Sequence, residues 1–208
     1  MNIVDPAIEA YIDHLFPTQG DILREMEREG EKRRFPIVGP QVGRILCQMA
    51  WLTKASHIFE MGSGYGYSAY WFLKGMPPTG RIILTDDSQD NLDRARNYLK
   101  KADLLNRVTL EHGDALEVIE KYPGPFDIIF NDIDKERYPD AFKKALPRIR
   151  SGGLLISDNV LWFGRILTDS KDPDVEGIRT YNRLSTQAKE LFTTIIPVRD
   201  GLSLSIKN

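Results

Sequence analysis

Cysteine is almost absent. Cys47 is the only one in 208 residues, which excludes an internal disulfide and any multi-cysteine metal site. It sits in a helical pattern and reads as a small core residue. Histidine is scarce as well: His14, His57 and His112 are scattered along the chain and read as structural or surface residues, not as a zinc set. No stretch is apolar and long enough for a bilayer span and no signal peptide is visible, so the expectation is a cytoplasmic protein with no membrane partner. Excess charge is missing too. The 28 basic and 30 acidic residues leave a net charge of −2, and the basic residues are dispersed, which points away from nucleic acid. The densest basic run, Lys32-Arg33-Arg34, reads as a solvated helix end. Internal repeats and low-complexity segments are also lacking.

What remains suits one domain with a large core and a short extension. Residues 1–35 form the extension and read as helical. Ile8, Ile12 and Leu15 share one face, Pro17 interrupts it, and a highly charged segment runs from Asp21 to Arg34. The main domain, 36–208, opens with a loop and then a helix starting at Pro40, with Val42, Ile45, Leu46 and Met49 on one face. From Ser56 the pattern alternates. Strands are expected at Ile58–Met61, Arg81–Thr85, Val108–Glu111, Asp127–Phe130 and Leu154–Ser157, and helices at Ser68–Lys74, Gln89–Ala102, Leu116–Lys121 and Ala141–Arg150. Ser151-Gly152-Gly153 reads as a helix stop and re-entry into the sheet. Short apolar strands separated by amphipathic helices mean a parallel sheet covered on both faces. After a helix near Val175–Glu190, the runs Phe192–Val198 and Leu202–Lys207 flank Arg199-Asp200-Gly201, a hairpin signal that makes the last strand antiparallel. The expected fold is α/β and Rossmann-like: a seven-stranded, mostly parallel sheet closed by that hairpin, with helices on both faces.

The chain is organised around His57-Ile58-Phe59-Glu60-Met61-Gly62-Ser63-Gly64-Tyr65-Gly66-Tyr67-Ser68. It reads as a buried strand, a tight turn and a helix N-terminus, where open α/β sheets bind nucleoside cofactors. The third glycine of a dinucleotide fingerprint falls on Tyr67, and Glu60 ends the strand. A carboxylate there repels a pyrophosphate but suits a cationic nucleoside. S-adenosylmethionine, with a sulfonium, an ammonium and no phosphate, matches that requirement.

Functional residues gather at the C-terminal edges of such strands. Those edges carry Glu60, Asp86, Glu111-His112, Asn131-Asp132 and Asp158-Asn159, an acidic rim on a nearly neutral protein. Asp86 has the spacing of a ribose-binding acid, with Asp87 and Ser88 better placed to cap the next helix. Asp114 either meets the adenine amino group or only caps a helix. Asp132 and Asp134 precede Lys135, and Asp158-Asn159 ends the next strand. Neighbouring strands lie about 5 Å apart, so these ends can converge on one ion. Two carboxylates and an amide oxygen form a hard site suited to Mg²⁺ or Ca²⁺.

Glu60-Met61-Gly62-Ser63-Gly64-Tyr65-Gly66-Tyr67-Ser68 resembles the first motif of the cation-dependent O-methyltransferases, the caffeoyl-CoA and catechol O-methyltransferase-like group. Phe126-Asp127 through Asp132-Ile133-Asp134-Lys135 to Tyr138 is similar to that group's fourth-strand signature. Gly152-Gly153 through Ser157-Asp158-Asn159-Val160-Leu161-Trp162 resembles its fifth, and Asp200-Gly201-Leu202 to Lys207 its terminal hairpin. The likeness runs from about residue 36 to the end. It implies that Asp132, Asp158 and Asn159 bind a divalent cation (Mg²⁺, with Ca²⁺ or Mn²⁺ as alternatives) and that Lys135 is the general base beside Asp132. It further implies that Val38, Glu60, Gly62, Ser63, Ser68, Asp86 and Ala115 line an S-adenosylmethionine site, which Asp114 would join. The implied reaction methylates one hydroxyl of a small vicinal diphenol, and the implied assembly is a homodimer. Three residues depart from the pattern: Asn131 for an apolar residue, Ser157 for alanine and Ser63 for threonine. Two other readings remain open here. A methyltransferase of nucleic-acid or protein nitrogen commonly shows Asn-Pro-Pro-aromatic after the fourth strand, where this chain has Asn131-Asp132-Ile133-Asp134. A nicotinamide-binding module is disfavoured by Tyr67 and Glu60.

Overall fold

The computed structural model describes residues 3–16 and 20–208, so the expected interruption at Pro17 lies outside the described residues. Seven strands form one sheet: β1 (His57–Met61), β2 (Arg81–Asp86), β3 (Val108–His112), β4 (Phe126–Asn131), β5 (Ile149–Ser157), β6 (Leu191–Ile196) and β7 (Leu202–Lys207). Their order is β3-β2-β1-β4-β5-β7-β6. The first five pair in parallel, and β7 runs antiparallel to both β5 and β6. The expected architecture holds.

Eight α-helices occur among the described residues: α1 (Pro6–Leu15), α2 (Asp21–Arg33), α3 (Gly39–Leu52), α4 (Tyr67–Gly75), α5 (Gln89–Lys101), α6 (Ala115–Val118), α7 (Tyr138–Ala145) and α8 (Pro173–Gln187), of which α2 to α8 pack on the sheet. Strand side chains alternate between faces. Ile58, Ile128, Phe130 and Ile156 therefore pack with Leu23, Met26, Val42, Leu46, Phe72 and Leu99 of α2 to α5. Phe59, Met61, Ile129 and Leu155 pack on the other side with Leu116, Ala141, Phe142, Ile178 and Tyr181 of α6 to α8. Leu23 and Met26 give α2 a buried face in the main core, although it precedes residue 36.

Two local expectations are corrected. The helix expected to reach Arg150 ends at Ala145, and after a 3₁₀ turn at Leu146–Arg148 the strand β5 already begins at Ile149. Ser151-Gly152-Gly153 consequently lies inside β5 and stops no helix, while the expected entry into the sheet is found. Pairing decides this: Phe126 opposes Ile149, and the register then shifts before Ile128 opposes Leu154, so the extra residues bulge out of the ladder. The strand expected to reach Val198 ends at Ile196, where β6 gives way to the turn leading into β7.

Candidate active site

The Gly-rich turn after β1 is held by the neighbouring strand. Gly62 and Ser63 donate backbone N–H bonds to the Thr85 carbonyl at 3.1 and 2.9 Å. Gly62, Gly64 and Gly66 have φ of 77°, 51° and 83°, a region costly for side chains. At Gly62 a Cβ would also collide with the Asp132 backbone. The tip is clamped from two sides. Asp86 accepts the Gly64 N–H at 2.8 Å, while the Tyr65 hydroxyl donates to the Met26 carbonyl of α2 at 2.9 Å.

Of the twelve residues singled out from the sequence, eleven line one cavity of about 550 Å³: Val38, Gly62, Ser63, Ser68, Asp86, Asp114, Ala115, Asp132, Lys135, Asp158 and Asn159. Glu60 does not. Its side chain is sealed under the turn, with one oxygen accepting from Ser68 and the other unpartnered. Burial pushes its carboxyl up to about 8, with the nearby Ser68 and Ser63 hydroxyls opposing and the charges of Asp132 and Asp86 adding to the rise. In the ligand-free protein, burial therefore favours the protonated form of this acid over the carboxylate.

Asp86 accepts from Gly64, Ser88 and the Asn91 side chain at 2.8, 2.9 and 3.0 Å. A carboxylate offers about four lone-pair sites, so two ribose hydroxyls could bind only by displacing one of these donors. Burial raises this carboxyl, against the three hydrogen bonds. Ser88, as expected, caps α5. Asp114 caps α6 through the Leu116 N–H at 2.8 Å and pairs with Arg137 at 2.6 Å. The Arg137 hydrogen bond holds its carboxyl below the usual range. Capping is therefore realised while Asp114 also faces the cavity.

β4 and β5 are neighbours, so Asp132 and Asp158 meet at their ends. Asp158 is 4% exposed, and its Oδ1 has no hydrogen-bond partner. Burial drives its carboxyl well above the normal range, and the charges of Asp132 and Asp200 add to that. Burial likewise raises Asp132, against the nearby Lys135 ammonium. Lys135 Nζ donates to Asp132 at 2.6 Å and to the Ile133 carbonyl at 3.0 Å, and lies over the Tyr138 and Trp162 rings. Tyr138 fixes the end of β5 by donating to the Asp158 carbonyl at 2.9 Å. Among the described residues, no group of three or more His, Cys, Asp and Glu side chains is arranged around a metal position; the implied set has only two carboxylates, and its third donor is an amide.

Two of the departures from the family pattern prove to be partners. Asn131 and Ser157 sit opposite each other in the β4–β5 ladder. The Asn131 amide donates to the Ser157 hydroxyl at 3.4 Å, and that hydroxyl donates to Tyr181 at 2.7 Å. Sequence reading missed Arg137, Arg199 and Asp200, which also line the cavity. Arg199 and Asp200 stand in the Arg199-Asp200-Gly201 run, whose pattern signals only a turn, and nothing local marks Arg137.

The family model described as O-methyltransferase matches residues 17–208. A catechol O-methyltransferase of Niastella koreensis is 30% identical over 217 residues, covering 99% of this chain and 98% of that one. A caffeoyl-CoA O-methyltransferase of Nicotiana tabacum is 26% identical, covering 91% of this chain and 85% of that one. The crystal structure of a Bacillus cereus O-methyltransferase in complex with SAH superposes with a TM-score of 0.89 at 28% identity, over 97% of each chain. On the extent of the family match and on a fold shared nearly end to end, the chain belongs to the O-methyltransferase family.

Proposed function

We propose that this enzyme transfers the methyl group of S-adenosylmethionine to one hydroxyl of a small vicinal diphenol, with a divalent cation at Asp132, Asp158 and Asn159. The observation that carries the reading is Asp158: a buried carboxylate beside a second carboxylate, with one oxygen that no group among the described residues satisfies. Buried carboxylates without partners are costly unless they are neutralised or coordinate metal. An all-oxygen set of two carboxylates and an amide fits Mg²⁺, Ca²⁺ or Mn²⁺. What a divalent cation supplies there is positive charge beside the acceptor, which makes an aromatic hydroxyl more acidic.

The chain's own groups do the rest. The Gly62–Gly66 turn, Asp86 and Ser68 seat the cofactor, and Val38 and Ala115 close its flanks. Lys135 Nζ can take the hydroxyl proton only as the neutral amine, so it first gives one proton to solvent and returns to the ammonium form when the acceptor is deprotonated. As the acceptor oxygen bonds to the methyl carbon, the carbon–sulfur bond breaks and S-adenosylhomocysteine leaves. Holding the two reactants in line is the main source of rate. The cations that line the cavity are Lys135, Arg137 and Arg199. Each is already engaged inside the chain, with Asp132, Asp114 and the Ile37 carbonyl respectively. That favours a small uncharged acceptor over one carrying several phosphates.

The test is a catechol screen with and without EDTA, alongside calorimetry with S-adenosylhomocysteine. Turnover should vanish with EDTA and return with Mg²⁺, while cofactor binding persists throughout. A wild type that methylates catechols equally well in EDTA would sink the cation assignment.

A further inference from the structure

The hairpin turn between β6 and β7 is the one sequence motif that the proposed reaction leaves without a role, yet it reaches into the cavity. Asp200 is 4% exposed. Both of its carboxylate oxygens lie 2.9 Å from Nδ2 of Asn159. The arm facing Asp200 is the NH₂, which donates to both carboxylate oxygens. The carbonyl arm, Oδ1, is then left for the cavity that Asn159 shares with Asp132 and Asp158.

The backbone of the turn does the complementary task. The Gly201 carbonyl accepts the Val160 N–H at 3.0 Å, and the Asp200 carbonyl accepts those of Leu161 and Trp162 at 2.8 and 3.2 Å. Gly201 has φ 99°, and a Cβ there would run into the Leu161 backbone, so only glycine lets the turn approach this closely. Asn159 itself has φ 58°, a left-handed conformation that asparagine tolerates but does not hold unaided. Its amide and the main chain just after it are thus both tied to the same turn, which reaches Asn159 from 41 residues away.

We infer that Asp200 is a positioning residue of the cation site: its carboxylate holds the Asn159 amide so that Oδ1 faces Asp132 and Asp158. This rests on the proposed cation site. Groups that orient a metal ligand typically contribute about 10–100-fold to metal affinity. Asp200 also adds negative charge near both carboxylates, so charge and orientation act together.

The test uses full-length protein and Mn²⁺ as the probe, followed by the magnetic resonance signal of free Mn²⁺, with S-adenosylhomocysteine calorimetry and melting curves in parallel. Asp200→Asn should weaken Mn²⁺ by tenfold or more and leave cofactor affinity within twofold. The exchange variant Asn159→Asp/Asp200→Asn should recover most of the lost affinity, because it restores a carboxylate–amide pair with the charge on the other side. Asp200→Ala, if it folds, should behave as Asp200→Asn or worse. Wild-type Mn²⁺ affinity in folded Asp200→Asn overturns the inference and leaves the cation site standing. A parallel fall in cofactor affinity and melting temperature, with no recovery in the exchange variant, overturns it in favour of a purely structural turn. A wild type whose Mn²⁺ binding is absent or indifferent to Asp158→Ala removes the cation site itself, and this inference with it.

Discussion

Glu60 is an acid held where its charged form is costly. With its carboxyl at about 8, the ligand-free enzyme carries a proton there at neutral pH. A cationic cofactor above the turn favours the ionised form, so binding should release that proton. The dissociation constant of S-adenosylmethionine is expected to tighten as pH rises from about 6 toward about 8 and to level off beyond it. Glu60→Gln should flatten the profile, and a flat wild-type profile by calorimetry would refute the linkage. Stability has the opposite sign. An unfolded glutamate titrates at 4.5, so between that pH and about 8 the native state keeps a proton that the unfolded chain has lost. This group's contribution is fully present below the unfolded value and is lost as pH rises through that window. Lys135 gives a second prediction at this scale. Lys135→Ala should retain Mn²⁺ and cofactor but lose about 10²–10⁴ in rate, with partial recovery at high pH, where the acceptor ionises unaided. If instead it turns over at the wild-type rate near neutrality, the base role fails.

Among the elements, what was legible in the sequence depended on how local each signal is. Strands β1 to β5 announce themselves as apolar runs, and the Asp-Gly turn announces the closing hairpin. Where a local signal competed with pairing, pairing won: Gly152-Gly153 resembles a helix stop but joins β5 because β4 lies alongside. Gly153 comes close enough to the Asp127 carbonyl that a Cβ would sit 2.9 Å from it, a constraint no window of sequence contains. The site divides the same way. Asp132, Asp158 and Asn159 are strand ends and could be found by counting, whereas the link from Arg199 to the Ile37 carbonyl joins residues 162 apart. Helix α2 belongs to this second class. Its charged outer face suggested an appendage, yet Tyr65 and Tyr67 reach from the Gly-rich turn to Met26 and Glu27 on it. Tyr65→Phe removes a buried hydrogen bond worth about 0.5–1.5 kcal/mol. It should lower the denaturation midpoint accordingly and speed hydrogen exchange at Gly64 and Gly66, with the β1 amides unaffected. Unchanged exchange in the turn would mean that α2 packs beside it without clamping it.

On the scale of the whole molecule, α1 is the piece the fold does not absorb. It has a proper N-terminus, with Asp5 accepting the Ala7 N–H at 2.7 Å and Pro6 at the first position. Yet none of its residues is buried. It is tethered at its edge by Gln41, which reaches the Glu9 carbonyl at 3.2 Å and Asp13 at 3.0 Å. Arg44 lies over the Phe16 ring at 3.8 Å just beyond its end. Ile8, Tyr11 and Leu15 follow helical spacing and are 53%, 65% and 59% exposed. An amphipathic helix gains its stability by burying its apolar stripe, and among the described residues nothing buries the stripe of α1. A second copy supplies the missing surface most simply, since a two-fold axis lets the same stripe meet itself. The expected state is therefore a homodimer in which α1 contributes. Light scattering at micromolar concentration should give twice the chain mass, and Tyr11→Glu combined with Leu15→Glu should halve it. Because α1 contributes no residue to the lining of the cavity, the monomeric double variant should still bind S-adenosylhomocysteine with wild-type affinity. A wild type that scatters as a monomer would remove the dimer, and α1 would then be an exposed arm whose apolar face stays in water.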